Sequence, residues 1–441
     1  MSLFGAINTA ISGLTAQSAS FGNISEDVSN SQTVGFKRVD TSFIDYLTTS
    51  TPTNNEPGAV VAHPDYVNNV QGAITQTDNP LAMAIAGQGF FAVSQPTGET
   101  DGVPTFNPQQ YYTRTGDFTM NANGYLVNSA GQYLNGWLVD PSTGVANQNA
   151  LVPIQVSQSS YNPVATSTVT LSANLPATPT SGTATSAAPL SSQITVYDSL
   201  GTAHTINLNW TQTAANDWSV QISVPDSTTG STDAGTADVT FGSNGVAQGT
   251  IGQIAADTTD PGTITTNGYT SGQPATLDFT TDFGSGSQTI QLNLGNYGGT
   301  SGVTQYAGST YNLLGLTQNG VPPGSFSGVT TQSNGDVVIN YNNGETRTIA
   351  QVPVVTFNAP DALQSQDGQS FTATPASGSP LAEVANTSGA GSLVTGSTEG
   401  SNVDIATEFS DLIVAQQAYS SNAKVVTTAD QMLQATLQMI A

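Results

Sequence analysis

Both ends of this chain carry apolar residues at a seven-residue step, a repeat that commits the termini to long helices. Toward the carboxy end the step runs Ile405, Leu412, Tyr419, Val426, Leu433 and Ile440, with Phe409, Ala423 and Leu437 on an offset track. Toward the amino end it runs Ile7, Leu14, Phe21 and Val28, accompanied by Leu3, Ala10 and Ile24. A sustained step of this kind predicts a coiled-coil seam. A stripe so narrow suits a helix that meets another helix, because a helix lying on a globular core shows a wider apolar face. At about 1.5 Å per residue the two helices would run roughly 39 Å and 54 Å, too long for a small domain. Gln17, Gln416 and Asp430 share the offset track, where polar residues often set register or oligomeric state. The apolar seam residues are therefore candidate self-assembly positions, whose partner is either a neighbouring copy or the other end of the same chain.

Charge removes several function classes. Among 441 residues only 5 are Lys or Arg against 30 Asp or Glu, a formal net charge of −25. The five cations are Lys37, Arg38, Arg114, Arg347 and Lys424, so residues 115–346 hold none. Nucleic acid and anionic membrane surfaces, which are recognised by clustered Lys and Arg, are excluded as expected partners. With no cysteine there is no disulfide framework and no thiolate metal site. No apolar run approaches the ~20 residues of a membrane-spanning helix. The first 36 residues contain no Lys or Arg and so lack the charged start of a secretory signal. The expectation is a protein that stays inside the cell or leaves without a cleaved signal.

Between the helices the pattern changes to period two. Residues 32–70, with Pro52, Pro57, Gly58 and Pro64, read as a connecting segment with little regular core. Seven Asn-Gly pairs begin at Asn123, Asn135, Asn244, Asn267, Asn319, Asn334 and Asn343, and such pairs favour tight hairpin turns. Ile206, Leu208 and Trp210 share one strand face; Trp218, Val220, Ile222 and Val224 share another, and Val337, Ile339 and Tyr341 a third. Phe118 with Met120, and Tyr125 with Val127, alternate across Asn123-Gly124. Residues 164–192 and 375–401, poor in large apolar residues, read as a surface crossing and as a linker back to the last helix. The predicted fold class is mainly β with α-helical termini: coiled-coil helices at both ends flanking nested antiparallel β-rich domains. The expected domains are a terminal helical domain (1–31 and 402–441), the connecting segment (32–70), an inner β-rich domain (71–150 and 318–401) and an outer variable β-rich domain (151–317).

Catalytic signatures do not emerge. His63 and His204 stand in no metal or protease motif, and no nucleophile elbow, phosphate loop or dinucleotide fingerprint occurs. Carboxylate pairs such as Asp278 with Asp282, or Glu26 with Asp27, are expected by chance in so acidic a chain. No calcium-binding loop occurs, so no cofactor or metal is expected. Trp210 and Trp218 lie on alternating strand faces, which predicts core packing over a sugar-binding platform.

Several stretches resemble one known family. NISEDVSNSQTVGFK from Asn23 is similar to the amino-terminal signature of the bacterial flagellar hook protein family, an axial family shared with rod proteins. Its matching residues are Asn23, Ile24, Asn30, Thr33, Gly35, Phe36 and Lys37, while Ser29 stands where Ala is commoner. LAMAIAGQGFFAV from Leu81, TRTGDFTMNANGYLVNSAGQYLNGW from Thr113 and the carboxy-terminal block from Asn402 extend the likeness. The run VYDSLGTAHTINLNW from Val196, the return through Ala350–Val354 and the chain length favour the hook subunit over a distal rod component.

The resemblance implies a structural, non-enzymatic subunit that self-assembles into a flexible curved tube transmitting torque from rod to filament. It further implies terminal helices lining a channel, unfolded passage through the flagellar type III export apparatus, and an extracellular place in the hook of the flagellum. Implied partners are other copies of the chain and the rod, hook cap and hook–filament junction proteins. The reading from another class is a secreted acidic adhesin or carbohydrate-binding protein, which has no need of matching helices at both ends.

Overall fold

The computed structural model describes the backbone of residues 3–51, 54–100, 102–177, 188–260, 262–308 and 310–440; side chains 3–4, 48–57, 437 and 439–440 lie outside the described set. It is mainly β, with one long helix at each end: α1 (Leu3–Ser29) and α2 (Ile405–Ile440). The chain divides into two compact units. One takes the residues through Gln158, Ser327–Asn340 and everything from Thr346 onward; the other takes Ser159–Phe326 and Tyr341–Glu345.

In the first unit, α1 leads into a two-stranded antiparallel hairpin of β1 (Val39–Thr51) and β2 (Asn54–Tyr66). The segment expected to be an irregular connector is thus strand on both sides. A lone hairpin is marginal in water, and this one is supported along α1, where Thr9 Oγ1 donates to the Gly58 carbonyl and the Val60 N–H donates to Ser12 Oγ. The body beyond it is a largely antiparallel sheet. Its central order runs Thr346–Gln351, Tyr133–Leu138, Phe91–Ser94, Tyr111–Thr113 and Ser370–Thr372. Phe90, Phe91, Phe118, Leu126, Leu134, Val337, Ile339, Val352 and Val354 fill its interior.

Two sequence readings shift here. Across the Asn123-Gly124 turn, Leu126 pairs with Met120, so Leu126 and Asn128 are buried, not Tyr125 and Val127. The turn is longer than two residues: the Asn121 N–H donates to the Tyr125 carbonyl, and the added length moves the second strand by one position and changes its inward face. Residues 375–401 are no linker. They supply the strands Leu381–Glu383, Ser392–Thr395 and Ser397–Glu399, each paired to a strand from earlier in the chain, with Ala385, Ala390, Leu393, Ser397 and Glu399 buried.

The second unit has two sheets over one core. Leu190–Tyr197, Ala203–Ala214, Asp217–Ser223, Asp233–Phe241 and Ile251–Ala256 form a five-stranded antiparallel meander in chain order. The second sheet contains Thr168–Asn174, Pro274–Asp282, Ser287–Asn296 and the short Val303–Thr304, to which Thr168–Asn174 is also parallel; Thr168–Asn174 runs parallel to Ser287–Asn296, one departure from an all-antiparallel middle. A parallel pair requires a long crossover, and the whole meander lies between these two strands. Ile206, Leu208, Trp210, Trp218, Val220, Ile222 and Val224 all enter the shared core as their alternation predicts. Burial of both tryptophans removes them from any sugar-binding face.

Candidate functional site

The termini meet within one chain. α1 and α2 pack antiparallel: Gly13 faces Asn422, and Phe21 lies edge-on to Tyr419 with ring centroids 6.3 Å apart. A Cβ at Gly13 would come within 2.8 Å of the Asn422 side-chain amide, which would have to swing aside to admit it. The seam on α2 is a seven-residue step, Glu408, Ala415, Asn422 and Ala429, whose small residues suit close contact. Asp404 caps α2 by accepting from the N–H groups of Ala406 at 2.9 Å and Thr407 at 3.2 Å.

The predicted seam residues fall into distinct places. Ile24 is buried; Ile7, Leu14, Phe21, Val28, Leu412, Val426 and Leu433 are half-buried; Ile405, Phe409 and Tyr419 are exposed. The side chains of Leu3, Leu437 and Ile440 lie outside the described residues. At 100° per residue, Ile405, Phe409 and Ile413 stand on one flank of α2, while Val414, Val425 and Met432 stand on the other. All six are exposed, as are Phe43, Ile44, Tyr46 and Leu47 on β1. One chain therefore closes a narrow seam and leaves apolar surface open on both sides of it.

Where α1, α2 and β1 converge, two carboxylates are buried. Asp27 is 1% exposed and accepts from the Val39 N–H at 3.1 Å and 3.2 Å. Burial pushes its pKa up to about 7 against the opposing Val39 hydrogen bond, with repulsion from Glu408, Asp40 and Glu26 adding to the rise. Glu408, facing it from α2, is likewise raised by burial and by Asp40, while Arg38 opposes the rise.

Beneath this junction the family-signature residues do structural work one by one. Asn23 donates to Thr41 Oγ1, and Asn30 and Thr33 close the turn that ends α1. Gly35, at φ 71°, lies so close to the body that a Cβ would sit 2.5 Å from the Thr115 nitrogen. Phe36 and Lys37 are buried. Lys37 Nζ meets Glu399 Oε1 at 2.6 Å and donates to the Val70 carbonyl at 2.6 Å. The other oxygen of Glu399 holds Arg114 at 3.0 Å, and Arg114 also donates to the carbonyls of Ile85 and Gly87. Glu399 Oε1 additionally accepts from the Gly72 N–H. Side-chain exposure is 1% for each cation and 0% for Glu399. Burial lowers the pKa of both Lys37 and Arg114, and the Glu399 charge opposes that fall. Nearby, Asn402 accepts from the Arg38 N–H and donates to the carbonyls of Val67 and Val70, tying the approach to α2 to the exit of α1.

Sequence reasoning found Lys37 through its signature but missed Arg114, Glu399 and Asp27 as a working set. The available signal was scarcity: with five cations in the chain, a buried one demands a buried carboxylate. Elsewhere, His63 is exposed on β2, and His204 packs on Phe283 between Asp198 and Asp226. Among the described residues no group of three His, Cys, Asp or Glu could hold a metal ion.

Three families match the chain in sequence order: the flagellar hook protein FlgE/F/G D1 domain at residues 84–174, the flagellar basal body protein FlaE D2 domain at 170–321, and the flagellar basal body rod FlgEFG protein C-terminal at 394–439. The flagellar hook protein FlgE of Brucella abortus biovar 1 (strain 9-941) is 30% identical over 435 residues, covering 97% of each chain. This chain belongs to the flagellar hook protein family. The hook protein FlgE of Escherichia coli (strain K12) is 29% identical over 440 residues, covering 97% of this chain and 98% of its own. The crystal structure of the hook protein FlgE2 of Helicobacter pylori aligns with 72% of this chain at 14% identity and a TM-score of 0.48. Hook proteins are structural, and family membership places this chain in the flagellar hook, outside the cell, as a component of the motility apparatus.

Proposed function

We propose that this structural hook subunit assembles through the apolar flanks of α2, with neighbouring copies covering Ile405, Phe409 and Ile413 on one side and Val414, Val425 and Met432 on the other. The observation that carries the reading is the double exposure: the intrachain seam consumes one narrow face of α2 and leaves two more. Burying such residues releases about 1.5–3 kcal/mol for each large side chain. In this reading the terminal helices, 1–31 and 402–441, line the channel of a curved tube, and the self-assembly positions named from the sequence divide between the intrachain seam and its neighbours. The β-rich regions, nearly free of cations and rich in Ser, Thr and Asn, make wet polar contacts that rearrange at small cost as the tube bends and transmits torque. Rod, hook cap and hook–filament junction proteins meet the ends of the tube, and the chain reaches it unfolded through the flagellar export apparatus. No catalytic step is assigned.

The test is polymerisation of the full-length chain with Val414→Asp and Val425→Asp together, followed by electron microscopy and sedimentation. Both positions are exposed in the single chain, so the monomer's circular dichroism is expected to stay unchanged while tubes fail to form. Tubes of normal length and yield from the double variant would overturn the assignment of this flank.

A further inference from the structure

We infer that Lys37, Arg114 and Glu399 form a charge clasp that makes docking of the amino-terminal arm onto the body of its unit conditional on arrival of the carboxy-terminal arm. Two buried cations come from the first part of the chain, and the carboxylate that neutralises them lies 362 residues from Lys37 and 285 residues from Arg114. Until Glu399 is in place, seating Phe36 and Lys37 against the body would bring two positive groups together in a dry site with no counter-charge. A buried ion cluster lacking one partner is destabilised by several kcal/mol, although the complete cluster adds little over apolar packing. The clasp is therefore a condition on order: neither end seats alone.

Its geometry makes the condition strict. Glu399 uses both carboxylate oxygens, one on each cation, while its backbone carbonyl accepts from the Gly35 N–H at 2.8 Å and its strand pairs with Ile74–Gln76. The electrostatic partners acting on Lys37 are Glu399 and Arg114, and the one acting on Arg114 is Glu399. The same residue pins the exit of α1 and the entry to α2, so Glu399 is a positioning residue for both helices. This holds for the single chain, independently of how copies assemble.

The experiment compares full-length wild type, Glu399→Gln, Lys37→Met and the double variant Lys37→Met/Glu399→Gln by the rate of tryptic cleavage after Arg38. Cleavage after Arg347, in a strand of the body sheet, is the internal control. Proteolysis of a transiently opened segment tracks the population of its open form. Glu399→Gln leaves two buried cations facing a neutral amide and is expected to raise cleavage after Arg38 by about a hundredfold or more. Removing Lys37 from that background relieves the repulsion, so the double variant is expected to be cleaved at least about tenfold more slowly than Glu399→Gln. A merely structural role predicts additive damage, with the double variant the worst of the four. Cleavage of Glu399→Gln at the wild-type rate overturns the clasp, as does a double variant cleaved as fast as Glu399→Gln. Equal acceleration after Arg347 overturns it too, since the arm would then not open apart from the body.

Discussion

Raising the pH from 5 to 8 should loosen the seat of α1 on α2 and β1, and Asp27 is the reason. In the folded chain its pKa stands at about 7, against about 3.9 when unfolded. Between those values the folded state holds a proton that the open state has lost, so stability falls as pH rises through this window and stops falling once both states are ionised. A gap of about three pKa units corresponds to about 4 kcal/mol, or roughly a thousandfold in the opening equilibrium. The charged groups around the carboxyl come from each packed element: Glu26 on α1, Asp40 on β1 and Glu408 on α2, with Arg38 beside Asp40 at 3.4 Å. Glu408, also raised, acts in the same direction and leaves a smaller residual slope in any Asp27 variant. The assay is amide hydrogen exchange of α1 in the full chain, corrected for the intrinsic pH dependence of exchange. About one decade of that thousandfold is already lost by pH 5, so wild-type protection should fall by about two decades between pH 5 and 8. Asp27→Asn keeps an oxygen for the Val39 N–H but has no proton to lose, so most of that fall should vanish and the variant should be the better protected at pH 8. Flat wild-type protection, or an equal fall in Asp27→Asn, would refute the reasoning.

Two further outcomes follow from packing. Gly35→Ala places a methyl against the Thr115 backbone at a positive φ and should cost more than about 2 kcal/mol, read as a lower denaturation midpoint for the helix signal. Trp218→Ala, at a site with 0% exposure in the core of the second unit, should cost about 3–5 kcal/mol in urea unfolding followed by the fluorescence of Trp210.

What could be read directly were features with a local period. The seven-residue steps located both helices, and the alternation at Ile206–Trp210 and Trp218–Val224 located strands and their buried faces, because 3.5- and 2-residue periods are written into neighbouring positions. Asn334-Gly335 and Asn343-Gly344 do turn between successive strands, whereas Asn135-Gly136 lies inside Tyr133–Leu138, where pairing on both sides outweighs turn preference. The stretch 375–401 looked like a linker because its strands are three or four residues long, too short to establish a pattern.

The sequence by itself determined that this chain has helices at both ends, β structure between them and, through its signature blocks, its resemblance to the hook family. Tertiary structure decided which face of α2 is spent within the chain, placing Glu408, Ala415, Asn422 and Ala429 in the seam and leaving Ile405 and Phe409 open. It also decided that Lys37, Arg114 and Glu399 meet. A seam face depends on where the second helix comes to rest, and an ion cluster on three distant segments sharing one dry site; no run of neighbouring residues encodes either.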